Sequence, residues 1–365
     1  MMLAMRNARL GRGFCSARLS SVARRSLCTS GDITSRCAPV AIPSNAGVVD
    51  FLKAQGRWEA ATPDKPAIVD TSSGEVVRYG DLECRINGCA HALHELGFRQ
   101  GDVLSVHLHN CTEFIIAFMA VASLGGATSP SNPAYVAEEL ARQLSDSSAK
   151  FVLSSAEYRE TVLGAVASLP ADASPPPRVC FIEDGDCFAK AAPRETAVPL
   201  PRPIDAQSDL VVLPYSSGTT GRPKGVMLSH TNLVANTLQM CADPFARFAF
   251  DEKDSLLGLL PLYHIYGMTV LMLGSLAYQA TLVLMPRFEP DAFLSIIEQR
   301  RISVACLVPP LCLFLAKSPA VDAADLSSLK YIYSGAAPLD AAQELAVIER
   351  LAGLQRPCHV QIRQA

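Results

Sequence analysis

Pro214-Tyr215-Ser216-Ser217-Gly218-Thr219-Thr220-Gly221-Arg222-Pro223-Lys224-Gly225 stands between the apolar run 210–213 and the polar stretch Ser229-His230-Thr231-Asn232. The run before it is β-branched and reads as a strand, and the stretch after it opens a helix. From Ser216 to Gly225 there are three glycines, four hydroxyl residues and one lysine. Glycine lets backbone N–H groups turn inward around an anion, and hydroxyls add neutral donors. A lysine supplies a compact positive charge that can follow a phosphate. A strand, such a loop and a helix together make a phosphate cradle. The loop is not a Walker loop, because Pro223 stands where glycine is needed and Gly225 follows the lysine. Nor do Gly218 and Gly221 have the spacing of a dinucleotide fingerprint.

Outward from this loop, short strand-like runs alternate with helical periods. Residues 103–108, 150–154, 281–285, 302–308 and 330–333 read as further strands. Leu82, Ile86, Cys89, Leu93 and Leu96 recur at helical spacing, with Gly97 as the stop, and 292–299 and 340–351 are similar. The alternation predicts an α/β fold with largely parallel sheets. Eight prolines between Pro170 and Pro203 break both helix and strand, so they predict a surface connection between two α/β sub-domains, 32–204 and 205–365.

Composition removes several function classes. The first acid is Asp32, and six arginines precede it, which leaves 26 basic residues against 35 acidic ones in the body. A mildly acidic body gives no support to nucleic-acid binding. Residues 255–286 carry no charged side chain, but Pro261, His264, Gly267, Gly274 and Gln279 divide them into a strand, a loop and a buried helix, not a membrane span. The 12 cysteines include no C-x-x-C pair and read as reduced, mostly buried thiols. His91/His94 and His107/His109 lack a third ligand nearby, so no protein metal site is expected.

The run from Tyr215 to His230 resembles the signature of the AMP-binding, adenylate-forming superfamily, in the form found in 4-coumarate–CoA ligases, beetle luciferases and acyl-CoA synthetases. Pro261-Leu262-Tyr263-His264-Ile265-Tyr266-Gly267 is similar to its aromatic–histidine segment, and Ser334-Gly335-Ala336-Ala337-Pro338-Leu339 to its adenine-side loop. Pro63-Asp64-Lys65-Pro66, Tyr79-Gly80-Asp81-Leu82 and Asn132-Pro133-Ala134-Tyr135 also fit, so the resemblance runs over about 45–365. It implies the large N-terminal domain of that fold and a two-step reaction. A carboxylate attacks the α-phosphate of ATP, and a thiol, usually coenzyme A, then displaces AMP.

The resemblance assigns Ser216, Ser217, Gly218, Thr219, Thr220 and Lys224 to the β- and γ-phosphates. His264 would orient the attacking carboxylate. Tyr266, Gly335, Ala336, Ala337 and Gln364 would line the acyl-adenylate pocket, and Arg287 would contact coenzyme A. The acid would be fatty or aromatic, since Met268, Val270, Met272 and Leu273 follow Tyr266. Magnesium would arrive with ATP. The family's next segment carries a metal-binding glutamate, and a mobile C-terminal domain follows it. The resemblance therefore reads the chain as the front part of such a ligase, with a catalytically silent nucleotide- or acyl-binding protein as the alternative. An oxygenase of the luciferase type shares only the first step.

Residues 1–31 combine arginines, serines and small apolar residues without one acid, the composition of a mitochondrial transit peptide. N-terminal sequencing of protein recovered from its native source should find a new start near 26–32. An intact Met1 would remove the mitochondrial assignment.

Overall fold

Strands whose two faces are both hidden need a cover on each side, and here helices supply it. The computed structural model describes residues 39–56, 58, 63–170, 175–216, 223–242, 250–358 and 360–364. The expected transit segment, 1–31, and the loop residues Ser217, Gly218, Thr219 and Thr220 lie outside them. In chain order the strands are β1 (Pro66–Asp70), β2 (Val76–Arg78), β3 (Val103–His107), β4 (Ala127–Pro130), β5 (Phe151–Ser154), β6 (Arg178–Phe181), β7 (Leu210–Val212) and β8 (Tyr215–Ser216). They continue with β9 (Lys224–Gly225), β10 (Leu228–Ser229), β11 (Ser255–Gly258), β12 (Thr281–Leu284), β13 (Val304–Leu307), β14 (Tyr331–Ser334) and β15 (Gln361–Gln364).

A seven-stranded sheet has the order β15-β14-β13-β11-β12-β1-β2, parallel except for β2. A six-stranded sheet has the order β10-β7-β4-β3-β5-β6, parallel except for β10. The two-stranded ribbon β8–β9 stands apart from both. Every strand run expected from the sequence is present within a few residues, and so are the helices Tyr79–Glu95, Pro290–Gln299 and Ala341–Ala352.

The sheets do not follow the expected division at 204/205. Both belong to one unit, Ala38–Ala365. β1 and β2, from the earlier segment, complete the later sheet; β7 and β10, from the later segment, complete the earlier one. The reason is burial: Ala67, Ile68 and Val69 of β1 are buried and find a parallel neighbour in β12. The proline-rich connection also holds a strand, β6, which sits at a sheet edge where prolines before it disturb no ladder.

The helix Thr112–Ser123 lies between the sheets and touches β1 of one and β4 of the other. Phe114, Ile115, Ile116, Ala117, Phe118 and Met119 are all fully buried, so the helix has no polar face. Among the described residues no helix is long and apolar enough to cross a membrane. The described cysteines are free, and Cys89, Cys111, Cys187, Cys306, Cys312 and Cys358 are buried.

His107 and His230 are fully buried, and burial pushes each imidazole down to about 4. The unfolded chain takes up these protons near pH 6.5, where the native chain does not. The stability they contribute is complete above that pH and lost as pH falls towards 4. Thermal melting temperatures should therefore hold steady above about pH 7 and decline between about pH 6.5 and 5. A flat profile across that interval would show that the two rings do not stay neutral.

Candidate active site

The phosphate loop begins where β7 runs out. β8 and β9 fold back on each other, with Tyr215 opposite Gly225 and Ser216 opposite Lys224. Two residues expected on the phosphates, Ser216 and Lys224, thus stand side by side at the base of the loop, and both are exposed. The ribbon is fastened from below. The Tyr215 hydroxyl donates to Asp146 Oδ2 at 2.5 Å, and burial together with that carboxylate pushes the phenol's pKa up. Gly225 packs closely on the Tyr215 ring, where a Cβ would come within 3.0 Å of it. Burial, and after it the neighbouring Tyr135, raises the pKa of the Tyr263 phenol.

Beyond the ribbon, Ser229 N and Oγ donate to Asn232 Oδ1 at 3.0 and 3.1 Å and open the helix His230–Ala242. His230 is buried, and its Nδ1 accepts the Val48 N–H at 3.1 Å.

His264 and Tyr266 follow the carboxyl end of β11. The His264 N–H donates to Pro261 O at 3.1 Å, and His264 Nδ1 accepts the Tyr266 N–H at 3.2 Å. This leaves an exposed ring whose second nitrogen can serve as donor to an anion. A helical stretch then continues as a π-helix, Gly267–Leu273, a geometry concentrated at functional sites.

Tyr266 and Gly335 meet directly. Gly335 follows β14, and a Cβ on it would fall 2.8–2.9 Å from the Tyr266 ring. The Tyr266 phenol is pushed up in pKa by burial and by the neighbouring Cys306 thiol. On its other side Tyr266 borders a groove of about 470 Å³, shared with Leu233, Met240, Ile265, Thr269 and Val270. Ala336 and Ala337 are exposed, and Ala336 holds a left-handed φ of 66°, which costs an alanine about 1–2 kcal/mol. Gln364 lies on β15, its backbone paired with Ser334.

Arg287 is separate from this cluster. It follows β12, is exposed, sits 3.6 Å from Glu289, and edges a second cavity of about 600 Å³ lined by His109, Tyr158, Pro261 and Tyr263. Among the described residues no group of three or more metal-ligating side chains occurs.

The carboxyl ends of β11, β12 and β14 thus precede His264, Arg287 and Gly335, at the edge where open α/β sheets take their ligands, while Lys224 stands on the separate ribbon that follows β7. Two residues of this architecture carried no sequence signal of a role: Asp146 and Asn110. Asn110 donates from Nδ2 to Gly258 O at 2.8 Å and Leu260 O at 3.0 Å, and its Oδ1 accepts the Leu262 N–H at 2.8 Å.

The sequence matches the AMP-binding enzyme family over residues 56–360. 4-Coumarate–CoA ligase 3 of Arabidopsis thaliana is 36% identical over 283 residues, covering 77% of this chain and 50% of that protein. The N-terminal domain of FACL13 from Mycobacterium tuberculosis superposes with a TM-score of 0.71 at 25% identity, over 88% of this chain and 75% of that one. A long-chain-fatty-acid–CoA ligase of Archaeoglobus fulgidus shares the fold alone, with a TM-score of 0.78 at 21% identity, over 89% of this chain and 64% of that one. The chain spans about half the length of the curated relatives it matches. With a family match over most of its residues, this chain belongs to the AMP-binding enzyme family.

Proposed function

We propose that this chain supplies the ATP- and acid-binding surface of an acid–thiol ligase, which activates an apolar carboxylic acid, fatty or aromatic, as its adenylate and passes it to coenzyme A. The observation that carries the reading is the packing of the Tyr266 ring on Gly335. It brings the aromatic–histidine segment and the adenine-side loop into contact at the carboxyl edge of one sheet.

Two anions, a carboxylate and a triphosphate, must approach each other in this reaction, and like charges oppose it. Lys224 and the Ser216 hydroxyl would draw negative charge towards the base of the loop. His264 would hold a carboxylate oxygen through its exposed ring nitrogen. The groove beside Tyr266 would take the body of the acid, and its lining of Leu233, Met240, Ile265 and Val270 favours an apolar one. Arg287, at the lip of the 600 Å³ cavity, suits a phosphate of coenzyme A. Magnesium would travel with the triphosphate. The acid-free, arginine-rich residues 1–31 support a mitochondrial address for the same protein.

Binding measurements test this without turnover. ATP should bind the isolated chain, and Lys224→Ala should weaken it about 10- to 100-fold, the range of one hydrogen bond to a charged group. Absence of ATP binding up to millimolar concentration would reject the nucleotide assignment. Dodecanoate and 4-coumarate serve as acid probes. Gly335→Val, which forces the Tyr266 ring to move, should lower affinity for whichever acid binds by about tenfold or more. Unchanged acid affinity in that variant would place the acid elsewhere.

A further inference from the structure

The loop that carries His264 is held from the other sheet. Asn110 follows β3 of the six-stranded sheet, two residues before the helix Thr112–Ser123 begins, and only 2% of it is exposed. All of its amide bonds cross to the seven-stranded sheet. Nδ2 donates to Gly258 O, the last residue of β11, and to Leu260 O, with Met285 O beyond β12 at 3.4 Å. Oδ1 accepts the Leu262 N–H at 2.8 Å. The network fixes the orientation of the amide, because every carbonyl lies on one side and the N–H on the other.

What this grip controls is the next turn. Pro261 has no N–H, so the Leu262 N–H is the first donor after Leu260, and Asn110 takes it. The carbonyl between them, Pro261 O, accepts the His264 N–H at 3.1 Å. Gly267 closes over that same carbonyl, where a Cβ would come within 2.2 Å of it. The turn 261–264 is thus pinned at its start by Asn110 and roofed by Gly267, and His264 is its last residue. No other side chain of this size both donates twice and accepts once. Aspartate lacks the donors, serine has one, and glutamine is a methylene too long.

We infer that Asn110 is the positioning residue for His264: an amide from one sheet that sets where the carboxylate-orienting ring of the other stands. This rests on the role of His264 given above. It touches neither acid nor nucleotide through its amide, which is fully engaged with backbone.

The test uses the full 365-residue chain with ¹⁵N-labelled histidine and leucine. His264→Gln identifies the His264 ring signals. In the wild-type chain we expect one ring tautomer for His264 and a Leu262 amide that exchanges at least about 100-fold more slowly than an unstructured peptide, as a buried hydrogen-bonded group should. Asn110→Ser and Asn110→Ala should then give mixed or broadened His264 ring signals, with at least about tenfold weaker binding of the acid probe and a smaller change for ATP. His264 signals identical to wild type in a folded Asn110→Ala chain would overturn the inference. If neither variant folds, the wild-type exchange rate decides, and a Leu262 amide exchanging like free peptide overturns it. ATP and acid binding by the wild-type chain are read in the same samples. Their absence would reject the ligase reading, while the ring signals would still report on Asn110.

Discussion

A single carboxylate joins the parts of this protein that have to stay in register. Asp70, at the end of β1 and 1% exposed, accepts the Thr112 N–H through Oδ2 at 3.1 Å. Its other oxygen takes Ser72 N, Ser72 Oγ and Ser73 N at 2.9, 2.6 and 3.2 Å. The first N–H groups of a helix have no partner within the helix, and here water cannot reach them. A negative charge also suits the positive end of the helix dipole. Since that helix is buried on every side between the two sheets, the position of its start fixes their separation. The ligand-facing loops of both sheets inherit that spacing.

Much of the fold was legible because its pattern is local. The runs at 103–108 and 281–285 are β-branched and short, and both became strands. The charge-free stretch 255–286 resolved into strand, loop, helix and strand, as its prolines and glycines indicated. The helix Thr112–Ser123 was not legible, because a helix that is apolar all round has no 3.6-residue alternation to read. The division of the chain at 204/205 misled for another reason. Prolines report where a connection is irregular, while strand partners are chosen by burial across long separations, as when β1 found β12.

The site shows the same split. Residues inside the signature segments were recognisable one by one, and Tyr266 and Gly335 came together across the fold. Their supports were invisible beforehand. Asp146 beneath Tyr215 lies on the helix Ala137–Ser147, 69 residues away, and Asn110 beneath the turn 261–264 comes from the opposite sheet, about 150 residues away. Asn110, a common residue type bonded to backbone, carries no motif. Its partners are carbonyls and N–H groups that any sequence would provide.

The π-helical stretch Gly267–Leu273 has a bearing on how this protein could diversify. Its bonds skip one residue more than those of an α-helix, so it contains in effect a single inserted position. Each residue of an α-helix advances by roughly 100° around the axis. Deleting one residue there would let the segment relax to ordinary α-helix while its two ends stayed anchored by the turn and by the core. The flanks would keep their facing, and the rearrangement would fall on the residues within the stretch, Thr269 and Val270 of the groove wall among them. The lining of this groove is therefore open to change by a one-codon indel, a route that leaves the strands and their loops untouched.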